Sequence, residues 1–386
     1  MRGFFHHSVI HSWVVVMLLL MPWLIGVAWA ADEAPPKVRG TAALLGDIDS
    51  GRVIHAQEVD TRLPPASLTK VMTLYLIYEA MAAGTVKLDT ELLVSENAWR
   101  TGGSKTFVKV GDRVKVEDLI RGIAIQSGND ACVVMAEHLS GSESAFVAKM
   151  NAKAVELGLT NTHFTNATGL PDPEHYTSAR DLFTLAVSLM RKFPQYSHYS
   201  QEKQFTFNNI RQHNRNNLLW RDPIITGLKT GHTREAGYCL VATSDKEGQR
   251  LVAVVMGAST RKIREDDALR LIHYGNRMYE TVKFFDAKAT VRKLRVWKGI
   301  EREVEGIVSE PLVVTVPRKE RGSVEVGVSY DEPLVAPIQV GQKIGAVVVK
   351  AGGKELFTRD LVAGNAVERG NVFRVMFDSV RVTLGW

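Results

Sequence analysis

The chain has 386 residues, 45% hydrophobic and 23% charged. That composition excludes a disordered or fibrous chain, and the length suggests two domains. Lys and Arg exceed Asp and Glu by a formal +6. No long block of like charges occurs, so a nucleic-acid-binding tail is not indicated, while a mild basic excess suits work beside an anionic surface.

Residues 1–30 read as a signal peptide. Arg2 and two histidines precede the apolar stretch from Trp13 to Ile25, and Ala28-Trp29-Ala30 gives the small-x-small pattern of an export cleavage site. Cleavage is expected after Ala30, with an uncleaved anchor as the rival reading. No other stretch is long and apolar enough to span a bilayer. The two cysteines, Cys132 and Cys239, each lie in an apolar run and are expected as buried free thiols, although export would permit pairing. With no C-x-x-C or H-E-x-x-H pattern, neither a metal nor a cofactor is expected.

From residue 31 the chain alternates strand and helix signals. Ala42–Ile48 and Val53–Ala56 flank Asp49-Ser50-Gly51 as a hairpin. Pro64-Pro65-Ala66-Ser67-Leu68-Thr69-Lys70 then opens an apolar helical run ending near Gly84. Ser67 sits at the expected helix start, where Ser is a favoured N-cap, and Lys70 lies on the same face three residues on. Residues 95–116 suggest loops or short strands around Gly102-Gly103-Ser104. Helix is expected from Val116 to Gln126, a break at Ser127-Gly128-Asn129-Asp130, and helix again from Ala131. Helices follow over 144–157 and from the N-cap Ser178 to Lys192, with an irregular 161–176 segment between them and a polar, Asn-rich 205–217 after them. Strands 227–233, 237–243 and 251–257 precede a closing helix over 266–279. Strands at both ends and helices in the middle predict an α+β domain over 31–284, its antiparallel sheet built from the two terminal segments with helices packed on it.

Beyond Phe285 the texture changes. Short β-branched runs such as Leu312–Val316, Val324–Val328 and Ile344–Val349, separated by Gly or Pro, predict a small all-β domain over 285–366. The last segment, 367–386, is amphipathic: apolar residues from Val372 to Trp386 spread over a wide face, while Arg374, Asp378, Arg381 and Gly385 gather in an arc of roughly 80° opposite. An interfacial, membrane-lying helix is the expectation, against a helix docked on its own protein.

Three short words carry the chemistry: Ser67-x-x-Lys70, Ser127-Gly128-Asn129 and Lys229-Thr230-Gly231. Each falls at a break its chemistry needs: a helix start, an inter-helix loop and a strand. A serine hydroxyl is a poor nucleophile without an adjacent base. Lys70 becomes that base if burial and a second cation, Lys229, depress its pKa. Ser127 can relay a proton to the leaving group. Asn129 offers an amide to the substrate backbone and to Lys70. Lys229 and Thr230 suit a substrate carboxylate, and Gly231 permits close approach of backbone to substrate. The oxyanion site is expected at the N–H of Ser67 and that of His232 or a near neighbour.

These words, with Ala66–Thr73, Ile120–Ala131 and Gly227–Thr233 around them, resemble the penicillin-recognising serine enzymes. Within that group the chain is similar to the low-molecular-mass penicillin-binding proteins that are D-alanyl-D-alanine carboxypeptidases. The resemblance spans the whole mature chain, the β domain and tail included. It implies a serine transpeptidase-like catalytic domain that trims terminal D-alanine from peptidoglycan pentapeptide stems through a Ser67 acyl-enzyme. It implies acylation of the same serine by β-lactam antibiotics, and a place on the periplasmic face of the cytoplasmic membrane. It further implies a carboxylate-facing role for Arg264 and a second site arginine at Arg215. Two rival functions remain: a catalytically silent penicillin-binding sensor, and a β-lactamase. The latter needs a deacylating carboxylate, for which Glu174 is the local candidate. Ser-Gly-Asn in place of Ser-Asp-Asn favours the carboxypeptidases over class A β-lactamases.

Overall fold

A computed structural model describes residues 34–384; the expected signal peptide, Gly385 and Trp386 lie outside the described residues. The hairpin Ala42–Asp47 and Val53–Gln57 joins the later strands Ile225–Thr233, Gly237–Lys246 and Gln249–Ala258 in one five-stranded antiparallel sheet. The first strand pairs with Gln249–Ala258, with Leu44 opposite Val254, so the two terminal segments close the sheet as expected. Ile225–Thr233 forms one edge.

Alternation of side chains along each strand divides this sheet into two apolar faces. Leu44, Val241, Val252 and Val254 join the helical core of Lys70–Ala82, Asn129–Ser140 and Ala179–Lys192. Leu45, Leu240, Ala253 and Val255 face Leu271 and Ile272 of the helix Arg261–Met278 on the other side. The helix Lys70–Ala82 is buried on every side over its first nine residues, Lys70 to Tyr78. Such a helix has no solvent stripe, which is why its sequence is apolar all round.

Several local expectations change. Ser67 caps no helix: Ala66–Thr69 is a 3₁₀ turn, and the α-helix begins at Lys70. The second run widens into a π turn over Gly122–Gln126. The break after it is only Ser127-Gly128, because Asn129 already starts the next helix. The Asn-rich 205–217 stretch contains a hairpin, Gln204–Phe207 with Ile210–His213, whose alternation was masked by polar side chains on an exposed pair. The closing helix starts at Arg261, where the Thr260 hydroxyl accepts from the Ile263 N–H; the expectation of Asp266 overlooked that cap.

Tyr279–Phe285 is a strand and pairs with Leu312–Pro317. A six-stranded sheet then runs in the order Val324–Ser329, Lys343–Ala351, Lys354–Ala363, Glu303–Ile307, Thr290–Trp297, Leu334–Val335. Val304, Leu312, Val347, Val349 and Leu361 form its core. A buried polar knot ties this β region to the first sheet. The Asp47 carboxylate accepts from Thr281 Oγ1 at 2.6 Å and Ser50 Oγ at 2.9 Å, and Ser50 Oγ lies 2.7 Å from Thr315 Oγ1.

Candidate active site

Ser67 occupies the 3₁₀ turn directly ahead of the buried helix. The preceding residue, Ala66, holds φ +47°, a strained backbone for a residue with a Cβ. The turn therefore enters the helix sharply, and Ser67 remains half-buried at a cleft of ≈ 570 Å³.

Lys70 is fully buried, and its Nζ meets three oxygens: Asn129 Oδ1 at 2.7 Å, the Thr168 carbonyl at 2.6 Å and Ser67 Oγ at 3.0 Å. A neutral amine has two N–H groups and one lone pair. The carbonyl of Thr168 and the amide oxygen of Asn129 can only accept, so they take both N–H groups. The lone pair is left facing the Ser67 hydroxyl. Burial pushes the Lys70 ammonium down to about 8, with Arg215 adding to the effect and Asp130 and Cys132 opposing it.

Asn129 is itself oriented. Its Nδ2 donates to the Gly102 carbonyl at 2.7 Å, which turns Oδ1 toward Lys70. Asp130, fully buried, accepts from the backbone N–H groups of Thr106 at 2.8 Å and Phe107 at 2.9 Å, clasping the 102–108 loop onto the helix start. Ser127 adopts φ +68°, the left-handed region, which lifts its side chain out of the π turn toward the edge strand. There Lys229 Nζ lies 2.9 Å from Ser127 Oγ and 3.0 Å from the Thr230 carbonyl. Burial, and then the charges of Lys70 and Arg215, hold the Lys229 ammonium well below its ordinary range. Two ammoniums in one dry seam repel, so the pair carries fewer than two protons.

Gly231 is where the edge strand touches the Ser67 turn: a Cβ there would lie 3.0 Å from the Pro65 carbonyl. His232 is exposed and stacks on Tyr238 at 4.0 Å between ring centroids. Thr230, Gly231 and His232 line the cleft with Ser67 and Ser127. So do Arg215, whose Nε donates to the Gln126 carbonyl at 2.9 Å, and Arg264, buried with only 3% exposure. All ten expected site residues thus converge on one place.

The motifs did not show Arg261, whose positive charge bears on both Arg215 and Arg264 from the cleft rim. They did not show Glu265 either, whose Oε1 lies 3.3 Å from Arg264 and 3.2 Å from Asn217 Nδ2. Arg261 and Glu265 fall with Arg264 in one run of five residues, Arg261-Lys262-Ile263-Arg264-Glu265, which is the only signal the sequence carried. Thr168 acts through a backbone carbonyl, so no side-chain pattern could reveal it. Glu174 is exposed, with its N–H on Asp172 and its carbonyl on His163, and it does not line the cleft. Cys132 and Cys239 are free and buried.

Comparison with known proteins agrees with this geometry. Residues 30–260 match the D-alanyl-D-alanine carboxypeptidase family model, and residues 279–369 match that of the penicillin-binding protein 5 C-terminal domain. The chain is 40% identical over 363 residues to D-alanyl-D-alanine carboxypeptidase DacC of Escherichia coli, covering 92% of this chain and 91% of that one. It is 40% identical over 356 residues to DacA of the same organism, covering 90% of this chain and 88% of that relative. The crystal structure of penicillin-binding protein 5 from Haemophilus influenzae superposes with a TM-score of 0.83 at 38% identity, over 87% of this chain and 99% of that one. The chain belongs to the D-alanyl-D-alanine carboxypeptidase family of serine hydrolases, and D-alanyl-D-alanine carboxypeptidase is its activity.

Proposed function

We propose that Ser67 is the nucleophile of this carboxypeptidase and Lys70 its base. The observation that carries the assignment is the three-oxygen shell of Lys70, in which two carbonyl acceptors leave the lone pair for Ser67. Lys70 takes the hydroxyl proton as Ser67 Oγ attacks the carbonyl of the penultimate D-alanine. The N–H groups of Ser67 and His232 receive the oxyanion. Ser127 passes its proton to the leaving amine and is resupplied from Lys229 or Lys70. Thr230, Arg215 and Arg264 receive the terminal carboxylate beside Lys229, and Asn129 binds the stem backbone. Free D-alanine leaves, and water, activated by Lys70, hydrolyses the Ser67 ester. A β-lactam enters the same path and acylates Ser67.

The tail supports attachment to a membrane surface. Val372 is 80% and Phe373 78% exposed on the helix Val372–Thr383, while Asp378 on its polar side is buried against the β domain. Among the described residues no helix is long and apolar enough to cross a membrane. The enzyme is accordingly read as exported and peripheral, on the periplasmic face of the cytoplasmic membrane.

The test measures D-alanine release from a pentapeptide beside nitrocefin hydrolysis, with and without Ser67→Ala. D-alanine release and labelling by a fluorescent penicillin are expected, both lost in Ser67→Ala. Because the base must be unprotonated, acylation should rise with pH through a limb near the Lys70 value of about 8. Fast nitrocefin turnover without D-alanine release would overturn the assignment.

A further inference from the structure

The Thr168 carbonyl is the one Lys70 partner that no side-chain chemistry places. It lies in the irregular 161–176 segment, so something must fix that peptide against the helix. Three side chains, Asn166, Thr73 and His175, do so. Asn166 Oδ1 accepts from Gly169 N–H at 2.7 Å, Thr168 Oγ1 at 2.9 Å, Thr168 N–H at 3.1 Å and Leu170 N–H at 3.2 Å, folding 166–170 into one tight turn. Gly169, at φ +84°, rests so closely on the nucleophile turn that a Cβ would lie 1.8 Å from the Ala66 carbonyl. Thr73 Oγ1 donates to the Ala167 carbonyl at 2.7 Å on the next turn of the helix.

His175 joins this loop to the nucleophile turn. Its Nε2 lies 2.8 Å from Thr69 Oγ1, and the Thr69 hydroxyl gives its proton to the Ala66 carbonyl at 2.9 Å. The imidazole therefore donates from Nε2. Its Nδ1 is left bare and faces donors only: Thr165 Oγ1 at 3.1 Å, Asn166 Nδ2 at 3.3 Å and Thr165 N–H at 3.4 Å. One neutral tautomer satisfies every partner. The ring is 3% exposed. Burial holds it down to about 4, against the opposing charge of Asp172 and with help from His163 and Lys70, so it stays neutral throughout the enzyme's range.

We propose that Asn166 and His175 are positioning residues that clamp the 165–170 loop onto the Ser67 turn and so deliver the Thr168 carbonyl to Lys70. The inference rests on Lys70 acting as the base. With the clamp intact, both amine hydrogens are pinned and the lone pair points at Ser67. Without it the Lys70 ammonium loses an acceptor, while burial and the charges of Arg215, Asp130 and Cys132 still act on it. The charged form is then less favoured and the base titrates at lower pH.

The test uses the full mature chain and follows the rate of acylation by a fluorescent penicillin across pH. His175→Leu should slow acylation roughly tenfold or more and move the acid limb to lower pH. His175→Gln, whose amide can still donate to Thr69, should restore most of the rate and the wild-type limb. Unchanged rate and limb in His175→Leu overturn the clamp, as does a loss of rate in both variants with the limb unmoved. Should His175→Leu fail to fold, Asn166→Ser decides in its place: a moved limb supports the clamp and an unmoved one overturns it. Lys70→Ala separates the two readings. If it still acylates, Lys70 is not the base and both fall; if it is dead while His175→Leu behaves as wild type, the clamp alone falls.

Discussion

The catalytic seam and the C-terminal helix break the same rule in opposite directions. In the seam, two lysines lie inside an apolar core, Lys70 with no exposure and Lys229 with 2%. On the tail helix, Phe373, Met376, Phe377 and Val380 face outward, while the acidic Asp378 is buried. Charges rarely go inside and large apolar faces rarely stay out unless something outside the fold repays them. In the seam the proposed return is reactivity, because burial holds both ammoniums below their ordinary range. At the tail the proposed return is contact with a lipid interface.

The sharpest way to break the first half of this comparison is to remove one of the paired cations. Lys229→Ala should lower kcat/KM for peptide by roughly 10²–10³, the range expected for loss of proton relay and carboxylate anchoring together. It should leave the pH at which Lys70 loses its proton near about 8, since Lys229, held well below its ordinary range, is already neutral there. The ascending limb of acylation therefore stays in place, in contrast to the downward shift expected when the loop clamp is released. A pH–acylation profile of the two variants checks both. A limb moved to higher pH in Lys229→Ala would show that Lys229 carries charge while Lys70 titrates.

How much of this was legible depends on which atoms act. Ser67, Lys70, Ser127 and Lys229 meet through side chains that sit in recognisable words at helix starts, loops and strands. Thr168 and Gly102 act through carbonyls, which every residue has, so only folding reveals them. Asp130 was part of a quoted word, yet its clasp of the 102–108 loop depends on contacts more than twenty positions away. The five-stranded sheet was readable because its strands are long apolar runs. The Gln204–His213 hairpin was not, because an exposed two-stranded pair needs no apolar face. The tail helix was readable as amphipathic. Which way it faces was settled by Asp378, a single residue whose partner is a backbone N–H eighty positions earlier.

The second half of the comparison is tested by making the outward face polar. Phe373→Asp replaces an exposed aromatic with a charge at no cost to the core. Burying a phenylalanine contributes about 1.5–3 kcal/mol, so binding to vesicles of anionic lipid should weaken roughly tenfold to a hundredfold. Turnover of soluble peptides should be unchanged. Flotation of the mature protein with such vesicles reads this directly, and undiminished binding would remove the helix from the interface.

The smallest effect is expected at the hinge between helix and β domain. Asp378 Oδ2 accepts the Lys298 N–H at 2.8 Å and lies 3.0 Å from Arg374 Nε, while Gly370 N–H donates to the Lys298 carbonyl at 2.8 Å. The helix is thus fastened by its polar side, which is what turns the apolar side outward. Asp378→Ala leaves a buried N–H without its acceptor, a loss of about 1–3 kcal/mol. That loss is local, because the three apolar cores are untouched. Amide exchange in Val372–Thr383 should quicken by roughly one to two powers of ten, with acylation unchanged and vesicle binding retained through the same apolar residues. If exchange stayed slow, the apolar face would have to be holding the helix to the protein, and the contrast between the two regions would collapse into ordinary packing.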